Sequence, residues 1–215
     1  MPRILGRLAS IPAFFGLKVA SALILLKLSA SFLPVSGFTV FSQLIMFASL
    51  LNVLALCGAQ NGVVRQAAAA EGADDLARTQ GAAFAIWGAA LPLALAPVLL
   101  AGGTISKILV GSPAEWPVVL VITAVALAGA PGQVWCAFLT GRKRVARSLI
   151  AQAAGLVVGA AAAGWRIVAH DPAGAALAFA GGGLITTAVA LPFAAQLGMS
   201  LIPRRFSWVA PKCSR

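Results

Sequence analysis

The chain has 215 residues, of which 60% are hydrophobic and only 10% charged, with a mean hydropathy of +0.96 and a net charge of +11. Soluble domains carry about 25% charged residues, so an aqueous globular fold is excluded, and the long Ala/Leu/Val/Gly blocks lack the alternation of a transmembrane β-barrel. The Lys and Arg residues cluster between apolar blocks, as where loops face anionic lipid, and form no basic face on a soluble module, so nucleic acid is not an expected partner.

At about 20 residues per crossing plus short loops, this length accommodates about six helices. The expected fold class is therefore all-α, a polytopic membrane protein whose bundle occupies 1–200 and is followed by a basic tail at 201–215. The N-terminus is basic, but no small-residue cleavage site follows, so a retained first helix is expected rather than a removed signal.

The first predicted span covers approximately 11–33 and carries Lys18 and Lys27. A tight turn at Pro34–Gly37 leads into a second span from Phe38 to about Ala59, which contains no charged residue. The polar interval QNGVVRQAAAAEGADDLARTQ follows, and its AAAAEGADDLAR core predicts that helix 2 or helix 3 continues past the membrane surface. The third span is expected near 81–100. GGTISKILVGSPAEW then reads as a loop with a short interfacial turn around 105–110. A fourth span, about 116–139, is expected to be interrupted at Gly129-Ala-Pro-Gly132. The basic loop Gly141–Arg147 precedes a fifth span at about 148–169, and a sixth runs from about 173 to 197.

With the N-terminus inside, the inner loops hold Arg3, Arg7, Arg65, Arg78, Arg142–Arg147 and the basic tail, and the outer ones little beyond Lys107 and Arg166. That is the positive-inside pattern, and it predicts both termini cytoplasmic.

On a helical wheel, Ser42, Ser49 and Gln60 of the second span share one line with Asn52 on its flank. In the fifth span, Ser148, Gln152, Gly155, Gly159 and Arg166 share a narrower stripe. Two readings stand for each stripe. One is a hydrated pathway. The other is helix packing, since Gly155–Gly159 is a small-xxx-small motif and Ser, Asn and Gln bond across helices.

Lys27 lies well inside the first span, where an ionisable residue either serves function or snorkels to the interface. Lys18, nearer the inner end, reads as snorkelling, and Arg166 as an interfacial anchor beside Asp171. All five carboxylates (Glu71, Asp74, Asp75, Glu115, Asp171) fall in loops, so any cavity would be neutral to cationic and suited to an anionic substrate such as a phosphate or diphosphate.

No enzyme is expected. No acid/base pair, nucleophile constellation or cofactor motif lies at a membrane surface, and His170 reads as a surface-loop residue. Cys57, Cys136 and Cys213 fit no metal-ligand spacing, and the first two read as buried small apolar residues.

Three stretches carry a family resemblance: LPVSGFTVFSQ with Pro34, Gly37, Phe41 and Gln43, GAQNGVVRQ with Gly58, Asn61, Gly62, Val63, Val64 and Arg65, and FLTGRKRVARS with Thr140-Gly141. In order and position they resemble the N-terminal half of Wzx-type flippases of the multidrug/oligosaccharidyl-lipid/polysaccharide exporter superfamily, over approximately 16–197. The resemblance implies movement of undecaprenyl-diphosphate-linked sugars between leaflets by alternating access, in a bacterial inner membrane, for polysaccharide or O-antigen biosynthesis. Its implied partners are a lipid-linked oligosaccharide with an anionic diphosphate headgroup and membrane lipid. Lys27 and Arg65 become candidate headgroup contacts, and Asn52, Asn61 and Gln152 candidate polar lining. Arg65 serves equally well as a positive-inside anchor.

The chain departs from the family in one respect: such flippases have about twice as many helices, in two halves with the cavity between them. A homodimer or a second six-helix half would supply the missing wall. The alternatives are a truncated relic, a scaffold subunit of a polysaccharide-assembly complex, or a drug/cation exporter of the same superfamily. The exporter would be expected to carry an intramembrane carboxylate.

Overall fold

The computed structural model describes residues 2–56 and 58–197, with side chains from residue 12 onward. The elements are α1 (Pro2–Phe32), α2 (Val35–Leu56), α3 (Gln60–Ala69), α4 (Ala73–Val110), a 3-10 turn (Pro113–Glu115), α5 (Trp116–Gly141), α6 (Val145–Val168) and α7 (Pro172–Ala195). No strand occurs among the described residues. Six of the helices, all but α3, are long and apolar enough to cross a membrane, which is the make-up of a multi-pass membrane protein. The expected tail, with Cys213, and Cys57 lie outside the described residues.

Burial orders the helices. In α5, 61% of the apolar stretch is buried, against 11% in α1, so α5 is the centre and α1 the periphery. The outward faces carry Leu23, Met46, Leu93, Leu100 and Val157, all exposed. An exposed apolar belt suits a lipid solvent, in which only backbone groups must be satisfied internally.

Glycine brings α5, α6 and α7 together. A Cβ on Gly182 would lie 2.5 Å from the Gly155 carbonyl oxygen, and one on Gly132 would lie 2.7 Å from the Thr187 nitrogen. Without side chains at these points the backbones approach directly, the device by which membrane helices associate. Thr187 Oγ1 lies 2.9 Å from the Gly183 carbonyl and 3.1 Å from that of Gly129, tying α7 to α5. Gly155 and Gly159 both pack on Gly182, so the packing reading of the GLVVG motif holds.

Pro131 does not interrupt α5, contrary to the sequence expectation. Having no N–H, it leaves the Leu127 carbonyl without its helical donor. Trp87 on α4 supplies one, its Nε1 donating to the Leu127 oxygen at 3.1 Å. Trp87→Phe keeps the edge-to-face contact with Phe84 and removes only this bond. The variant is expected to lose about 1–2 kcal/mol, read as a lower unfolding midpoint in detergent; an unchanged midpoint would remove this role from Trp87.

Two further expectations are corrected. GGTISKILV is helical: α4 bends at Ala101 (φ −125°), just past Pro97, and runs on to Val110. The glycines there serve packing, since Gly102 sits against the Trp116 ring and Gly103 against Pro113. Gly111, in the left-handed region at φ 83°, stops the helix. The second span ends at Leu56 rather than Ala59, and Gly58 at φ 69° turns the chain into the separate α3. The AAAAEGADDLAR expectation is met in part, because α4 starts at Ala73, ahead of the apolar stretch.

The helices alternate in direction and define two ends. At one end, α3 packs on the last turn of α5, and Arg142 Nη1 donates to the Ala70 carbonyl at 2.9 Å. At the other, His170 Nδ1 lies 2.7 Å from the Phe32 carbonyl, joining the α6–α7 turn to the end of α1. Arg166 pairs there with Asp171 Oδ2 at 3.1 Å, as the anchor reading expects, while Asp171 Oδ1 accepts from the Gly174 N–H at 2.8 Å and caps α7.

Candidate functional site

α1 and α2 leave their shared turn and diverge, α1 resting mainly on α6 and α2 on α4, α5 and α7. Between them, at the end of the bundle where α1 begins, is an open cavity of about 410 Å³. Its floor is α7 (Phe179, Ala180, Gly182, Gly183, Thr186) and its walls are α1, α2 and α6, with Gln133 from α5. The floor exists because the same glycines that admit α6 leave α7 without bulk on this face.

Polar groups converge on it. Ser49, Asn52, Gln60, Gln133, Gln152 and Lys18 all line the cavity. Asn52 Nδ2 donates to the Ala48 carbonyl of its own helix at 3.0 Å, which leaves Oδ1 as the free acceptor. Gln152 Nε2 donates to Ser148 Oγ at 3.1 Å, leaving its Oε1. Ser148 is itself held: buried, it donates to the Cys136 carbonyl at 3.0 Å and lies 3.2 Å from Thr140 Oγ1. This network across the α5–α6 contact fixes the orientation of Gln152. Cys136 is buried beside it, as the sequence indicated.

Among the described residues, no carboxylate lines the cavity, and no group of His, Cys, Asp and Glu able to hold a metal occurs. The cavity therefore offers, among the described residues, amide donors and acceptors and one cation, Lys18. It can hydrogen-bond hydroxyl or amide groups and neutralise a single negative charge.

The candidate residues divide. Asn52 and Gln152 are brought together. Asn61 and Arg65 are exposed on α3 and do not line the cavity. Lys27 is exposed, nine residues beyond Lys18 along α1, about 13 Å at a helical rise. Lys18, also exposed and expected only to snorkel, is the lysine that lines the open cavity. Both stripes split as well. Ser49, Asn52 and Gln60 reach the cavity and Ser42 does not. On α6, Gln152 and Gly155 line it, Gly159 packs on α7, and Arg166 stands at the far end.

Gln133 and Thr186 also line the cavity and are not among the candidates above, although the first carries a signal in the sequence. It is a lone amide within an apolar span, and such residues usually bond across helices or line a cavity. No protein-family model matches the chain, and no curated protein or solved structure matches it.

Proposed function

We propose that the chain is one lobe of a transporter that moves a polyprenyl-diphosphate-linked oligosaccharide across a bacterial inner membrane by alternating access, serving polysaccharide or O-antigen assembly. One observation carries this reading: a cavity set within helices able to span a membrane, whose lining among the described residues is rich in amides, holds one lysine and has no carboxylate. Amides suit sugar hydroxyls, and Lys18 suits a diphosphate oxygen. The headgroup contact first assigned to Lys27 passes to Lys18, and Asn61 and Arg65 are left as surface residues.

The volume is at the small end of the roughly 300–1,000 Å³ of ligand pockets. A second copy, or a second six-helix half, supplies the opposite wall in this reading. The basic residues support the N-terminal end as the cytoplasmic one, since Arg65, Arg78 and Arg142–Arg147 gather there. A cation exporter is disfavoured by the absence of a carboxylate from the lining.

Reconstitution of the purified full chain in vesicles containing a fluorescent undecaprenyl-diphosphate sugar tests this. Leaflet exchange well above that of protein-free vesicles is the expected result, and exchange equal to theirs would overturn the proposal. Lys18→Gln is expected to weaken sugar-lipid binding about tenfold, the worth of one charge-assisted hydrogen bond. Lys27→Gln is expected to remain within about twofold. Equal losses in the two variants would contradict the assignment to Lys18.

A further inference from the structure

A second polar feature lies apart from the cavity, at the α5–α6 turn, where Lys143, Arg144, Ala146 and Arg147 line a recess. We propose that this recess holds the phosphate of an anionic phospholipid whose acyl chains lie along α6. The inference is independent of the transport reading.

The turn is fixed. Lys143 N–H donates to the Thr140 carbonyl at 3.0 Å and Arg144 N–H to that of Leu139 at 2.8 Å, with Lys143 in the left-handed region at φ 59°. Both flanking arginines are occupied by protein. Arg142 is bonded to the Ala70 carbonyl, and Arg147 is bonded to Gln196 Oε1 and stacked 5.5 Å from the Phe193 ring centroid. Among the described residues, neither the Lys143 nor the Arg144 side chain has an acceptor, and the only ion pair there is Arg166–Asp171, at the other end of the bundle. Glu71, next to Ala70, is the nearest carboxylate in sequence to the Arg142 contact and pairs with none of these cations. Two free cations on a rigid turn, between two occupied ones, form a site for a phosphate.

The surface below the recess identifies the source of that phosphate. Ala146, Ile150 and Val157 are exposed on one side of α6, running from the recess toward the middle of an apolar helix. A free phosphate has no use for such a track, whereas a lipid anchored at the recess would lay its chains along it. The level also fits, since the turn joins two spanning helices and so falls in the headgroup layer.

Native mass spectrometry of the full-length protein titrated with phosphatidylglycerol and with phosphatidylcholine reads the preference directly. With each cation worth about fivefold at a membrane surface, wild type is expected to prefer phosphatidylglycerol about 25-fold, and Lys143→Gln/Arg144→Gln to reduce that preference to about threefold or less. Unchanged phosphatidylcholine binding by the double variant verifies that it is folded. Arg78→Gln removes one charge at the same end of the bundle but outside the recess, and is expected to change the preference less than about twofold, against about fivefold for Arg144→Gln. Equal effects of Arg78→Gln and Arg144→Gln would reduce the site to general surface charge and overturn the proposal. Displacement of the lipid by millimolar inorganic phosphate would overturn the lipid assignment.

Discussion

Gly182→Ala is expected to cost about 2–3 kcal/mol of stability, while Gly181→Ala, one residue earlier on the same helix, costs nothing or stabilises slightly. The difference is steric. A Cβ at Gly182 would stand 2.5 Å from the Gly155 carbonyl oxygen and 3.4 Å from the Gly159 Cα, both backbone atoms of α6. Backbone cannot rotate away, so α6 must move outward and give up its contact with α7. A Cβ at Gly181 has nothing within 4 Å. There the only change is helix propensity, in which alanine exceeds glycine by about 1 kcal/mol. Unfolding midpoints of both variants in one detergent settle the matter. Equal midpoints would mean that α6 and α7 do not meet through these glycines.

The second large effect concerns the cavity. Gln152→Leu keeps the volume and removes the amide, so folding is expected to survive while sugar-lipid exchange falls about tenfold, the worth of one hydrogen bond in a site built for polar groups. Asn52→Leu/Gln152→Leu is expected to fall about a hundredfold if the two residues act independently. Ser148→Ala touches no ligand in this account. It frees the Gln152 side chain to turn, so it is expected to weaken binding by about threefold and to be partly rescued by threonine, which restores the hydroxyl. Val158→Ala, exposed on the same helix and outside the cavity lining, serves as the indifferent control. Full exchange by the double variant would separate the cavity from transport.

Much of the fold was legible because a bilayer demands uninterrupted apolar stretches of fixed length, and those are visible residue by residue. The six spans and the polar exit at Gln60 are visible in this way, whereas the turn expected over Pro34–Gly37 is narrower, since α2 already begins at Val35. The errors came from reading glycine and proline as breakers. Gly102-Gly103 and Gly129–Gly132 are places where a neighbour, Trp116 or α7, comes close, and that neighbour is not in the local sequence.

The site was half legible for a related reason. Asn52 and Gln152 are polar residues on stripes, and polarity in an apolar span marks them. Which of Lys18 and Lys27 borders the cavity depends on how α1 is rotated against α6. With apolar residues all around α1, periodicity contains no record of that rotation. Gln133 sits beside Pro131 on the most buried helix and reaches the cavity only because α5 runs unbroken through that proline.

The central claim is that water and polar ligands enter the bundle between α1 and α2. Single cysteines at Asn52, Gln152, Met46 and Val157, in a background with Cys57, Cys136 and Cys213 replaced by alanine, test it by reaction with a charged thiol reagent added to sealed inside-out vesicles, whose outer face is the cavity side. Positions 52 and 152 line the cavity, and 46 and 157 are exposed on the outer apolar face. The first pair is expected to react at least about tenfold faster than the second, because a thiol in hydrocarbon neither ionises nor meets a charged reagent. Equal inertness at all four positions would contradict it, since the space between α1 and α2 would then be filled by lipid.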